Sequence, residues 1–235
     1  MNTAGMAPSP LTLQQLLALI QDDRAVQDLR RYFSLDAAPG SIPAYTGGRF
    51  EALGGGGDRP ETANTVTAVD VVAAQMLSVV VPGPVALDLL EGNLGVQVAH
   101  QLASIPTHVA ISDAAAAALI GPAGPATAAW QLLEQQHDIG WVTAGKLLAR
   151  KRPQLIPVWD RVVRCAMGYP PPQAVWLWFH ERMTANDLAL TQALIAVRET
   201  AGAPTSVTPL RTLDIIAWMR HRREHQDRDC RGIAA

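Results

Sequence analysis

The chain has 235 residues, of which 49% are hydrophobic and 17% are charged, and its formal net charge is −2. This composition is typical of a folded globular protein and excludes a disordered chain, and the length suffices for one domain or two small lobes. The two cysteines, Cys165 and Cys230, exclude a disulfide framework, a four-cysteine zinc site and a four-cysteine iron–sulfur cluster.

The sequence indicates neither a secretory signal nor a membrane span. The first fifteen residues, MNTAGMAPSPLTLQQ, have no basic segment followed by an apolar run, so we expect no secretory signal. The most apolar stretch, residues 66–90, is interrupted by prolines and polar residues, which favours buried helices over a membrane span. We therefore expect a cytoplasmic protein that does not contact a membrane.

Helical periodicity dominates the chain in sequence order. Residues 11–33 have apolar side chains at helical spacing and no internal Gly or Pro, which predicts one long helix. Residues 36–60 form an irregular segment that ends near the run Gly54–Gly57, which predicts a flexible connector or, alternatively, a phosphate-binding loop. The later predicted helices cover residues 65–80, 84–91, 93–103, 114–120, 127–136, 160–168, a segment after the prolines at 170–172, 185–200 and 208–224.

These elements define the predicted architecture. Residues 107–112 are the one short stretch that could form a strand. We therefore predict an all-α, two-lobed helical bundle. Residues 1–60 would form an N-terminal helix and a Gly-rich connector, and residues 61–235 would form a helical domain.

The stretch IGWVTAGKLLARKRPQLIPVWDRVVR, residues 139–164, is the most informative of the chain. A glycine turn leads into a short helix, a basic cluster and a proline-containing link, and Asp160 stands where the next helix should begin. Six basic residues against one acid give a local charge of +5 in a chain of net −2. Such a concentrated patch indicates local contact with a polyanion. Its members are Lys146, Arg150, Lys151, Arg152, Arg161 and Arg164.

Residues 132–168 resemble the helix-hairpin-helix superfamily of DNA glycosylases. Ile139 to Ala144 match the end of the hairpin pattern, and Ile156-Pro157-Val158-Trp159-Asp160 matches the context of the catalytic aspartate. Gly140 and Asp160 are 20 positions apart, which is the spacing in the superfamily. The resemblance implies a helix-hairpin-helix motif at 132–150, with Asp160 in a cleft between two lobes.

The resemblance also implies a function and a set of site residues. Asp160 would stabilise the sugar cation that develops as an altered base leaves, and the base would be flipped into an aromatic pocket. Trp159, Trp176 and Trp178, with Trp141 and Phe179, are candidates for that pocket. The candidates for contacts with DNA are Gly140, Trp141, Thr143, Lys146, Arg150, Lys151, Arg152, Arg161 and Arg164.

Two departures from the superfamily pattern refine this hypothesis. Val142 stands where bifunctional members have their nucleophilic lysine, so a monofunctional enzyme is expected, and Lys146 is a substitute candidate one turn later. The iron–sulfur cysteines of some members are absent, and we expect no cofactor and no iron–sulfur cluster. Asp138 stands where the hairpin normally has glycine. The whole chain also looks like an uncharacterised bacterial family that shares the pattern KLLARKRPxLIPVxD.

Each of these interpretations has a structural alternative. Asp160 is also suited to capping a helix, and the basic run at 150–152 to forming a solvated helix end. The tryptophans are equally compatible with a hydrophobic core. His221 and His225, with Cys230 beyond, have a spacing that permits metal binding, but the sequence RHRREHQDRDC is typical of a polar tail, and we predict no metal site.

The sequence thus leaves three functions open. The first is a monofunctional DNA glycosylase, a base-excision hydrolase with DNA as its partner. The second is a non-catalytic helix-hairpin-helix protein that binds DNA. The third is a helical interaction module whose KRP segment docks an acidic partner.

Overall fold

The computed structural model describes residues 9–38, 40–168 and 175–225, and within these ranges the protein is built from α-helices and two short 3-10 helices, without strands. The prediction of an all-α fold is therefore confirmed. The helices are α1 (Leu13–Gln21), α2 (Asp23–Tyr32), α3 (Ala68–Gln75), α4 (Gly83–Glu91), α5 (Asn93–Ala103), α6 (Ala116–Ile120), α7 (Pro125–Glu134), α8 (Trp141–Lys151), α9 (Arg161–Ala166), α10 (Val175–Ala201) and α11 (Pro209–His221).

Local sequence explains where the helices divide. The long helix predicted at 11–33 is two helices, because Asp22 adopts an extended backbone and its side chain accepts the amide of Arg24 at 2.9 Å, which caps α2. α10 is interrupted at residues 185–188, three of which have positive φ, so the predicted start of a separate helix at 185 marks a real break. Residues 107–112 form turns instead of the strand considered from sequence.

Two hydrophobic clusters hold the helices together, and they meet at shared side chains. The larger one contains buried side chains from α1 and from α3 to α11. The smaller one joins Ala25 and Leu29 of α2 to Ile215 and Ile216 of α11. Because Val197 and Trp218 pack against both clusters, the N-terminal helices are part of the same packed interior as the C-terminal ones.

The Gly-rich segment predicted as a flexible connector is anchored to the core. It contains the 3-10 helices Thr46–Arg49 and Leu53–Gly55. The guanidinium group of Arg150 donates to the carbonyl oxygens of Phe50, Glu51 and Leu53. A Cβ at Gly57 would lie 2.4 Å from the carbonyl oxygen of Arg150, so only glycine allows this close approach of the two backbones.

Candidate functional site

A cavity of about 730 Å³ lies where five separate parts of the chain meet. The parts are α2, the segment 44–47, the residues after α3, the start of α8 with the start of α9, and α11. Its walls combine charged and aromatic side chains. The charged ones are Lys146, Asp160, Arg161, Arg211 and Asp214, and the aromatic ones are Tyr32, Tyr45, Trp141 and Trp218. This is the size and mixed character of a site for a small organic group.

Asp160 uses its two carboxylate oxygens for different contacts. Oδ1 accepts the backbone amide of Val163 at 3.0 Å and so caps α9. Oδ2 lies 3.4 Å from Nζ of Lys146, and the side chain, which lines the cavity, is 18% exposed. The capping role considered from sequence is therefore confirmed, and it leaves the second oxygen on the cavity side of the helix end.

Lys146 is a buried cation beside this carboxylate. Its Nζ donates to the carbonyl oxygen of Leu77 at 2.8 Å as well as to Asp160. Burial lowers the pKa of Lys146 below its ordinary value, and the nearby Asp160 opposes that shift. The two residues hold each other in place, so the carboxylate has a defined orientation.

Arg211 is the centre of a second charged cluster in the cavity wall. Its guanidinium donates to Oε1 of Glu51 at 2.5 Å, to Oδ2 of Asp214 at 2.5 Å and to the hydroxyl of Tyr32 at 2.6 Å. Burial alone would lower the pKa of Arg211, but Asp214 and Glu51 raise it well above its usual value. Burial raises the pKa of Asp214 to about 8, against the effect of Arg211, and the negative charge of Glu51 adds to the rise.

This cluster was not predicted from sequence. Arg211 and Asp214 lie three residues apart in the otherwise apolar run LRTLDIIAW, and such a charge pair inside an apolar helix is the signal that could have indicated it. Nothing local indicated Glu51 or Tyr32, which are 160 and 179 residues away from Arg211.

The raised pKa of Asp214 predicts a pH-dependent stability. The folded state binds a proton more tightly than an unfolded Asp with its ordinary pKa near 3.8, so the free energy of unfolding should fall as pH rises from about 4 to about 8. We expect Asp214→Asn, which carries no titrating proton, to flatten this part of the profile. Urea unfolding of both proteins across that range measures it, and parallel profiles would contradict the assignment to Asp214.

Four members of the predicted basic patch are buried, and for Arg150, Lys151 and Arg152 this corrects the prediction that they contact DNA. Arg150 and Lys151 both pair with Asp70, at 3.1 and 2.9 Å. Arg152 is 1% exposed and donates to the carbonyl oxygens of Ala63, Ile105 and Leu102. These side chains neutralise and satisfy polar groups inside the protein, so they are not available to phosphates, and the KRP segment is not an exposed docking segment.

The other predicted contact residues line the cavity or lie near the protein surface. Gly140, Trp141, Thr143 and Arg161 line it together with Lys146. Arg161 is exposed, and Arg164 is half-buried with its guanidinium 5.9 Å from the ring centre of Trp141. The basic residues at the start of α9 are therefore the part of the patch that the structure leaves accessible.

The predicted base pocket of Trp159, Trp176 and Trp178 is on the wrong side of Asp160. Trp159 is 3% exposed and its ring packs edge-on against Phe179, which also contacts Trp178. Trp159 and Trp176 line a separate cavity of about 140 Å³. Because the backbone at Asp160 is extended, the adjacent side chains of Trp159 and Asp160 point to opposite sides. The core alternative is correct for Trp159 and Trp178.

No helix of the described ranges is long and apolar enough to cross a bilayer. Comparison with curated proteins and with solved structures finds no match. A family of unknown function, DUF6308, matches residues 25–221, a region that begins in α2, ends with α11 and contains every wall of the larger cavity. The chain therefore belongs to the family of unknown function DUF6308.

Proposed function

We propose that the protein is a monofunctional DNA glycosylase that releases an altered base with the help of Asp160. The observation that carries the proposal is the position of this carboxylate. It stands 20 residues after Gly140, as in the helix-hairpin-helix glycosylases that this stretch resembles, and it lines a cavity that also contains aromatic side chains. A carboxylate that only capped a helix would not require such a cavity.

The cavity suits a flipped nucleoside. Tyr45 and Trp218 lie edge to face with ring centres 5.7 Å apart, and Tyr32 stacks on Tyr45 at 5.5 Å. Together with Trp141 they give the site apolar ring surfaces on which a base can stack, while the neighbouring charged groups can bind its polar edge. Of these four residues, only Trp141 was among the pocket candidates predicted from sequence.

The rim of the cavity offers groups for the phosphate next to the flipped nucleoside. Gly140 precedes α8 as its N-cap residue in an extended conformation, and it has no side chain that could cap the helix. The amide groups of its first turn and the helix dipole therefore favour an anion, and the exposed Arg161 adds a positive charge. This contact involves fewer cations than the patch predicted from sequence, so we expect DNA affinity to depend only moderately on salt.

The proposed reaction is hydrolysis of the N-glycosidic bond. As the bond between C1′ and the base nitrogen breaks, the base keeps the electron pair and the sugar acquires oxocarbenium character. Asp160 stabilises this positive charge and accepts a proton from the water that adds to C1′, and the leaving base takes up a proton. Lys146 positions the carboxylate through the contact at 3.4 Å.

The test uses the full chain and a panel of duplexes that each contain one uracil, oxidised purine or alkylated purine. We expect at least one duplex to acquire abasic sites, seen as strand cleavage only after alkali. We also expect no covalent adduct after borohydride treatment, because Val142 occupies the position of the nucleophilic lysine in bifunctional members.

Each other outcome selects a different interpretation. An adduct that disappears in the Lys146→Met variant would support glycosylase activity but overturn the monofunctional assignment. Salt-dependent DNA binding without abasic sites from any duplex would favour the non-catalytic DNA-binding protein. Absence of both binding and base release would refute the proposal.

A further inference from the structure

A second cluster of reactive side chains lies outside the cavity, between α9 and the end of α11. Cys165, His221 and His225 each offer one ligand atom, and these atoms all lie within 4.8 Å of one another. Nε2 of His221 is 3.2 Å from Sγ of Cys165, and the two imidazole rings have centres 5.5 Å apart. Cys165 is fully buried, His221 is 2% exposed, and His225 is half-buried.

We infer that Cys165, His221 and His225 form a binding site for Zn²⁺. One thiolate and two imidazoles are a ligand set that zinc prefers. Zinc–ligand bonds of 2.0–2.3 Å at tetrahedral angles separate the ligand atoms by about 3.5 Å. The 3.2 Å between Nε2 of His221 and Sγ of Cys165 is close to that value. The ligand atom of His225 lies within 4.8 Å of both, so a small rotation of its side chain would complete the triad.

The sequence predicted no metal here because the third ligand is remote. His221 and His225 have the helical spacing of a metal-binding pair, but Cys165 precedes them by 56 residues. The segment predicted as a polar tail is also packed in its first part, since Arg220 pairs with Asp22 and Asp28. A ligand triad formed across two packed helices depends on the tertiary fold.

Burial decides between a metal site and a catalytic thiol. A nucleophilic cysteine must be reached by its substrate, and Cys165 has no exposed surface. A metal ion needs only the small space between the three ligand atoms. It would tie α9, which directly follows Asp160, to α11, which contains Arg211 and Asp214, so zinc would brace two walls of the cavity without taking part in chemistry there.

The experiment measures metal binding by the full chain and is independent of any glycosylase activity. Protein freed of metal with a chelator is titrated with Zn²⁺ or Co²⁺. We expect one equivalent of Zn²⁺ to bind, a cobalt–thiolate charge-transfer band to appear with Co²⁺, and Zn²⁺ at 100 times its Kd to raise Tm by about 5 °C or more. Absence of the cobalt–thiolate band or of the zinc-dependent rise in Tm would overturn the site.

Variants identify the ligands. Cys165→Ser should abolish the cobalt–thiolate band, and His225→Gln, at a half-buried position that tolerates change, should weaken zinc binding at least 10-fold. His100→Gln changes an exposed histidine of α5 and should leave zinc binding unchanged. Cys230 lies outside the described residues, and loss of the band in Cys230→Ser but not in Cys165→Ser would overturn the assignment.

Discussion

Asp160→Asn is expected to lower the rate of base release by about 100-fold or more, while the protein still folds and binds DNA. The amide side chain keeps an oxygen that accepts the amide of Val163, so the cap of α9 remains. It lacks the negative charge that would stabilise the sugar cation, and loss of one preorganised electrostatic group costs a reaction about two to three orders of magnitude. Single-turnover rates of abasic-site formation on the best duplex of the panel measure the change.

Asp113→Asn is a matched control for this substitution. Asp113 is exposed, lies outside the cavity and also accepts a backbone amide three residues away, that of Ala110, at 2.9 Å. We expect its rate to equal that of the wild type. A rate for Asp160→Asn within a factor of three of the wild type, in a protein that still folds, would rule out a catalytic role for the carboxylate.

The second large effect concerns stability and the buried basic run. Asp70 is 2% exposed and pairs with both Arg150 and Lys151, which are 1% and 0% exposed. Asp70→Asn removes the only carboxylate that contacts these two cations among the described residues. Because an uncompensated buried charge is costly, we expect the free energy of unfolding to fall by about 3–5 kcal/mol. Urea or thermal unfolding measures the loss.

An exposed ion pair provides the comparison. Asp36 pairs with Arg30 at the surface, where Asp36 is 68% exposed, and Asp36→Asn should cost less than about 1 kcal/mol. Adding Lys151→Met to Asp70→Asn should recover part of the lost stability, since one of the two unpaired cations is then removed. Equal losses for Asp70→Asn and Asp36→Asn would mean that the buried network contributes no more than a surface pair.

Periodicity predicted most of the helical segments, because the apolar residues on the buried face of an amphipathic helix recur at helical spacing, but it missed the division between α1 and α2. It was not sufficient for the basic run. Whether Arg150 and Lys151 face water depends on Asp70, 80 and 81 positions earlier, and Arg150 also depends on carbonyl groups of the Gly-rich segment about 100 positions earlier. The charge density of the basic run therefore predicted exposed side chains, whereas the structure buries them.

In the candidate site, too, the residues of one continuous stretch were predicted, and those from distant parts of the chain were not. The spacing from Gly140 to Asp160 and the basic character of Lys146 were visible in one continuous stretch, and both residues line the cavity. Other lining residues come from α2 and α11, and only tertiary contacts bring them to Asp160. Trp159 was misplaced because the extended backbone at residue 160 directs the side chains of Trp159 and Asp160 to opposite sides.

The packing of α2 against α11 has a consequence for folding during synthesis on the ribosome. Asp28 bonds to Arg220, and Tyr32 to Arg211, across 192 and 179 residues. During synthesis from the N-terminus, α2 cannot form its contacts with α11 until nearly the whole described chain has emerged. Even when the parts of the chain between α2 and α11 have folded, the cavity still lacks Arg211, Asp214 and Trp218. The nascent chain therefore has no complete site at any earlier stage, and a ligand can stabilise the fold only after the closing helix has docked.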